Sequence, residues 1–126
     1  MKIALIAVAL LTSACTTSPR IEPLAPTAAA APVCGVTVTF GSYAMGIDRE
    51  AFATIDALLE RDNGVTATLH KRWGREGEMT VCVATRSAAD RARLFGKIGA
   101  LFPAKPRGPL TVETADGRRF EAGATP

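Results

Sequence analysis

Histidine occurs once in this chain, at His70, and cysteine three times, at Cys15, Cys34 and Cys82. A zinc centre draws on three or four ligands. The acidic residues here fall mostly on helix surfaces and loops, so no metal site is legible and no cofactor is expected. A CxxC redox motif is also missing. Aromatics are scarce: one Trp, one Tyr and five Phe in 126 residues. Excess charge of one sign is lacking, with 15 basic against 12 acidic residues and a net charge of +3. That balance is too even for a dedicated nucleic-acid binder, which concentrates basic residues on one face, and no nucleic-acid partner is expected. No apolar run approaches the roughly 20 residues that a membrane-crossing helix needs. The length allows one domain at most. An apolar fraction of 48% excludes a disordered or collagen-like chain.

What is present begins with an address. Lys2 precedes an unbroken apolar run, Ile3 to Leu11, and small residues follow at once: Thr12, Ser13, Ala14, Cys15. A run this short suits the apolar region of a secretory signal. Leu11-Thr12-Ser13-Ala14-Cys15 resembles the lipobox of bacterial lipoproteins, with Thr12 where that family usually carries Leu. The resemblance covers the first 15 residues. It implies cleavage before Cys15, a diacylglycerol thioether on its sulfur and acylation of the new amine. The acyl chains would be the membrane partner, each buried CH₂ contributing about 0.8 kcal/mol. Thr16, rather than Asp, after the cysteine implies sorting to the outer membrane, with the head in the periplasm. The alternative is a secreted protein cleaved elsewhere, with Cys15 a bystander. Loss of Lys2 with the signal leaves fourteen basic against twelve acidic residues, or +2.

The chain therefore divides into a signal (1–14), the lipidated Cys15 with a tether (15–33), and a globular domain (34–126). The tether carries Pro19, Pro23, Pro26 and Pro32 around the run Ala28 to Ala31. Proline breaks any helix the alanines start, and a Pro-containing tether favours extended states.

In the head, Val36 to Phe40 alternates with period two and is rich in β-branched residues, predicting a strand. Asp48 reads as a helix N-cap, with Ile47 and Phe52 at the staple positions. Phe52, Ile55, Leu58 and Leu59 recur at helical spacing, and Asn63-Gly64 supplies a stop in the left-handed conformation. Val65 to Trp73 alternates again, Gly74 to Gly77 reads as a hairpin loop, and Met79 to Thr85 as a central strand. Ser87 caps a second helix with Asp90 three residues on. Leu94, Phe95, Ile98, Leu101 and Phe102 form its stripe, and Pro103 and Pro106 end it. Leu110-Thr111-Val112 is a last strand, and Asp116-Gly117 turns into a short hairpin near Phe120.

The predicted class is α+β. The order β-α-β-β-α-β is that of the ferredoxin-like split βαβ arrangement, with both helices on one face of an antiparallel sheet and a possible C-terminal hairpin. The expected core is Val36, Val38, Phe40, Phe52, Ile55, Leu59, Leu69, Val81, Val83, Leu94, Ile98 and Leu101. The opposite face would carry Thr37, Thr39, Thr66, Thr68, His70, Thr80, Cys82 and Ala84. Its readings are a solvated face or a binding one.

Gly41 and Gly46 are spaced as in a phosphate-binding loop, but Ile47-Asp48 follows where that motif needs Lys and Ser or Thr. A carboxylate there repels phosphate, which excludes nucleotide binding. Cys34 and Cys82 form an even pair suited to an oxidising compartment. The first and third strands are expected adjacent and parallel, which favours a bridge. The alternation puts the two thiols on opposite faces unless the chain bends at Gly35. His70 shares a predicted face with Cys82, but nucleophilic catalysis also needs an orienting third group, and none is evident. His70, Lys71, Arg72, Trp73 and Arg75 gather positive charge and the only Trp at one hairpin. They read either as a surface for anionic headgroups or an acidic polymer, or as a solvated rim with Trp73 over the core edge. Arg118-Arg119 reads as an exposed turn.

Three functional readings follow. The first is a lipid-anchored, non-enzymatic interaction or scaffolding module of the cell envelope, with an envelope protein as partner. The second is peptidoglycan attachment: lipid, tether and small head resemble the outer-membrane protein A-like lipoproteins, with Arg91-Ala92 on a helix similar to their motif. Where that family has an Asp after a strand, this chain has His70-Lys71-Arg72, so the site is not carried over. The third is a small enzyme using Cys82 and His70.

Overall fold

The computed structural model describes residues 33–122. The expected signal, the expected lipidation site Cys15 and the expected tether as far as Pro32 lie outside the described residues. Seven elements follow in order: β1 (Val36–Phe40), α1 (Arg49–Arg61), β2 (Val65–Trp73), β3 (Glu78–Thr85), α2 (Ala88–Leu101), β4 (Leu110–Thr114) and β5 (Arg119–Ala122). The fold is α+β, with a five-stranded antiparallel sheet ordered β2-β3-β1-β4-β5 and two helices. The terminal hairpin expected at Asp116-Gly117 is present as the β4–β5 pair.

Strands β1 and β3 are adjacent but antiparallel, with Val36 opposite Val83 and Phe40 opposite Met79. This corrects the parallel pairing expected from the sequence. Helix α1 returns the chain so that β2 runs parallel to β1, and the β2–β3 hairpin then reverses it, so β3 between them runs against both.

Helix α1 starts because the Asp48 carboxylate accepts from the Ala51 N–H at 3.0 Å, satisfying a donor that the first turn leaves without an intrahelical partner. It ends at Arg61, where the Asp62 N–H donates to Leu58 O in extended backbone. Gly64 is not the left-handed stop that Asn63-Gly64 suggested. It is there for room: a Cβ at Gly64 would meet Arg93 Nη2 at 2.5 Å. Helix α2 is capped by Ser87, whose Oγ accepts from the Asp90 N–H at 3.0 Å.

One core joins both helices to one sheet face. Val36, Val38 and Phe40 of β1, Val81 and Val83 of β3, and Leu110 and Val112 of β4 pack under Ala51, Ile55 and Leu59 of α1 and Leu94 and Ile98 of α2. Full burial of side chains this size stabilises by about 1.5–3 kcal/mol each. Phe52 is half-buried and meets Phe40 edge-on, with ring centroids 5.1 Å apart. Leu101 belongs to the expected core but is exposed, at the end of α2.

Leu69 is the larger departure, at 48% exposure. Val65 pairs with Thr85 and Ala67 with Ala84, so Thr66 is an extra residue in a β-bulge. Because side chains alternate with period two, one extra residue turns every later side chain to the other face. Thr68, His70 and Arg72 therefore lie opposite Val83, Val81 and Met79 on the helix side, while Leu69, Lys71 and Trp73 lie opposite Cys82, Thr80 and Glu78 on the open side. The expected placement of β2 is inverted from Ala67 onward.

Candidate functional site

Cys34 and Cys82 form a disulfide, with Cα atoms 5.1 Å apart. The bend at Gly35 supplies the change of face that simple alternation forbids. It also brings the chain so close to β3 that a Cβ at Gly35 would meet Thr85 Oγ1 at 2.5 Å. The Gly35 N–H donates to Val83 O of β3, and Gly35 O accepts from the N–H of Ala115, the residue that follows β4, so the bend is held from both sides.

The pairing separates Cys82 from His70. Cys82 stands on the open face, whereas His70 points to the helix side, where its Nε2 lies 2.8 Å from Asp56 Oδ1 and its ring meets Phe52 edge-on. The expected shared face for these two residues is thus corrected, and no Cys–His nucleophile forms. The imidazole instead ties β2 to α1.

The five residues singled out at the hairpin divide in the same way. Trp73 does not cover the core edge: its Nε1–H donates to Thr80 Oγ1 at 3.0 Å on the open side. Lys71 shares that side. Arg72, from the helix side of β2, and Arg75, from the turn, instead line a cleft of about 620 Å³ between the hairpin and the loop that joins β1 to α1. Arg49 of α1 completes a group of three guanidinium side chains there, above an apolar floor of Ile47, Phe52 and Met79. Arg107, from the α2–β4 connection, borders the adjoining hollow with Met45, Ile47 and Arg49.

Local structure fixes the cleft's walls. Ser42 Oγ accepts from the Ala44 and Gly46 N–H groups, each at 3.0 Å, and folds the loop on itself. Ala44 sits at φ +90° and Gly46 at φ +87°, the first a costly conformation for a residue with a Cβ. The Gly46 N–H also donates to Glu76 Oε2 at 3.1 Å, tying the loop to the hairpin. Glu76 is the one carboxylate lining the cleft. Asp48 lies behind it, buried, with Oδ2 accepting from the Arg107 N–H at 3.0 Å. Burial works to raise the Asp48 pKa, but the N–H groups of Arg107 and Ala51 outweigh it and hold the carboxyl below its ordinary value.

The cations elsewhere are arranged differently. Arg93 makes a two-pronged bond to Asp62, each contact 2.6 Å, and a third to Asp90 at 3.0 Å. The Arg93 bond, working against burial, holds the Asp62 carboxyl far below the usual range. Arg86 pairs with Asp90, Lys97 with Asp62, and Arg91 and Arg118 with Asp116. Arg119 bridges Glu113 and Glu121. Among the described residues, Arg49, Arg72 and Arg75 make no ion pair, a state they share with Arg61, Lys71, Lys105 and Arg107.

Sequence reasoning found Arg72 and Arg75 but missed Arg49, Met45 and Arg107. They are distant in the chain, and only the packing of α1 and the α2–β4 connection beside the hairpin brings them together. Chemically, the cleft offers donors and positive charge over an apolar floor, which suits holding an anion rather than moving protons. No group of His, Cys, Asp and Glu among the described residues is placed to hold a metal ion. None of the described helices is long and apolar enough to cross a membrane. No protein-family model matches the chain, and neither a curated protein nor a solved structure is found to be similar to it.

Proposed function

We propose that this chain is a lipid-anchored, non-enzymatic binding module of a bacterial envelope. In this reading it is cleaved before Cys15, acylated there, and held at the outer membrane with its head in the periplasm. The Cys34–Cys82 disulfide carries the reading. It suits an oxidising compartment outside the cytosol, and it removes from nucleophilic chemistry the thiol that an enzymatic reading would use. The apolar run Ile3 to Leu11, followed by small residues up to Cys15, supports the anchor. The unpaired arginines at the hairpin end support binding as the head's work. We also assign the head to the ferredoxin-like group, on the order β2-β3-β1-β4 with β5 added at one edge. That fold hosts many unrelated functions and adds no activity of its own.

Intact-mass analysis of the protein recovered from membranes tests the anchor. The expected species lacks residues 1–14 and carries diacylglycerol and an amide-linked acyl chain on Cys15, and Cys15→Ala abolishes both changes. An uncleaved, unacylated product in the cytosol overturns the reading. Proximity labelling with the Cys15→Ala chain as control tests whether the head meets a partner. Retention on isolated cell-wall sacculi would favour peptidoglycan attachment instead. Arg91, the residue similar to that family's motif, is engaged with Asp116 at 3.8 Å.

A further inference from the structure

We propose that the cleft between the β1–α1 loop and the β2–β3 hairpin docks the head on an anionic phospholipid surface. Arg49, Arg72 and Arg75 would take the phosphate groups, and Met45 and Tyr43 would enter the headgroup layer. The proposal deepens the reading above by naming the partner of the same end of the molecule.

Three observations converge on this partner. The first is charge: three guanidinium groups without ion pairs stand around one opening, and the single carboxylate lining it, Glu76, is bonded to the Gly46 N–H. The second is the apolar rim. Met45 is 95% exposed and Tyr43 57% exposed, on the loop that forms one wall. An exposed methionine and tyrosine beside unpaired arginines match an interface that is anionic outside and apolar beneath. The third is shape: the opening is broad and its floor is apolar, whereas a small free anion is better held by donors closing around it.

Chain length allows the lipid anchor and this contact together. The tether enters at the Cys34 end of β1, and the cleft lies at its Phe40 end. The nineteen residue-to-residue steps from Cys15 to Cys34 allow a reach of roughly 59 Å at ~3.1 Å per step when extended. A domain of this size has a radius of gyration of about 13 Å, so the tether reaches round it. The second contact is then intramolecular and gains from a high effective concentration.

The test is vesicle co-sedimentation of the full chain carrying Cys15→Ala, on phosphatidylcholine alone and with phosphatidylglycerol added. The readout is the ratio of the two partition coefficients, which cancels attraction common to both vesicles. Each arginine near an anionic surface contributes about a fivefold factor. Arg49→Glu with Arg72→Glu is expected to lower the ratio by about 25-fold or more, and Met45→Ser to lower binding to the anionic vesicles. Arg61→Glu, an unpaired arginine at the far end of α1, is expected to cost less than about fivefold. Equal ratios for the unaltered and the doubly reversed chain overturn the proposal. So does full displacement by inorganic phosphate at matched ionic strength, which would make the cleft a free-anion site. Loss of sacculus binding on Arg49→Glu/Arg72→Glu, with no phosphatidylglycerol preference, would give the cleft to a cell-wall polymer and also overturn it. A phosphatidylglycerol preference that depends on Arg49 and Arg72, in a protein whose native form carries no acyl chain, would sustain the cleft's role while the anchored reading fails.

Discussion

Asp48 joins two parts of the head with one carboxylate, and its removal has a calculable cost. Oδ1 caps α1 through the Ala51 N–H, and Oδ2 accepts from the Arg107 N–H, 59 residues away. Losing an N-cap of this kind costs about 1 kcal/mol, and leaving the Arg107 N–H without its acceptor costs about 1 kcal/mol more. Asp48→Ala is therefore expected to destabilise by about 2 kcal/mol, or roughly 10 °C in Tm for a domain this small. Asp48→Asn keeps an acceptor for Ala51 but turns an NH₂ toward the Arg107 N–H, so it should lose at least the second half. Urea unfolding with the disulfide intact measures both, and an unchanged m-value would show that the compactness of the two states is unaltered and that stability alone has changed. Acidification gives a second check. The folded-state pKa of Asp48 lies below its ordinary 3.8, so its contribution is complete above that value and fades as pH falls through the folded pKa. The gap between the unaltered protein and Asp48→Ala should stay constant at neutral pH and close in acid. A cost of Asp48→Ala below about 0.5 kcal/mol, the level of an ordinary surface change, would refute this account. So would a gap that widens on acidification.

Reducing the Cys34–Cys82 disulfide, or replacing both residues by Ala, frees a loop spanning 48 residues. Chain-entropy arithmetic gives a loss of about 4 kcal/mol, readable as a lower urea midpoint. Leu69→Thr should change stability by less than about 0.5 kcal/mol, because the bulge turns that side chain to the open face. Ile55→Ala, in the core, should cost about 2–5 kcal/mol in the same assay. A large loss at Leu69 would mean that the register without a bulge prevails in solution. Ala44→Gly relieves the φ of +90° and should raise stability by up to about 1 kcal/mol, since the relief exceeds the added freedom of the unfolded chain; thermal unfolding checks the sign. Asp62→Asn should destabilise at neutral pH and make the protein less sensitive to acid, because the depressed pKa of Asp62 ties part of its stability to the ionised form.

Local rules were enough to read the elements. Alternation marks β1 and β3, helical spacing marks both helices, and Asp48 and Ser87 mark their starts, because caps and periodicity act within a few residues. The same holds for the hairpin loop at Gly74 to Gly77. What alternation cannot reveal is a single inserted residue. The bulge at Thr66 lies in the edge strand β2, and it puts His70 and Arg72 on the helix side in place of Leu69 and Trp73. The direction of β3 relative to β1, the reach of Cys34 to Cys82 through Gly35, and the meeting of Arg49 with Arg72 and Arg75 are likewise tertiary outcomes. Each depends on which segments lie side by side, a choice made by burying Val38, Val81, Val112, Ile55, Leu94 and Ile98 in one core. Residue order thus set where strands and helices form. Packing set which side chains share a surface, because a contact between distant residues exists only after the core has brought them together.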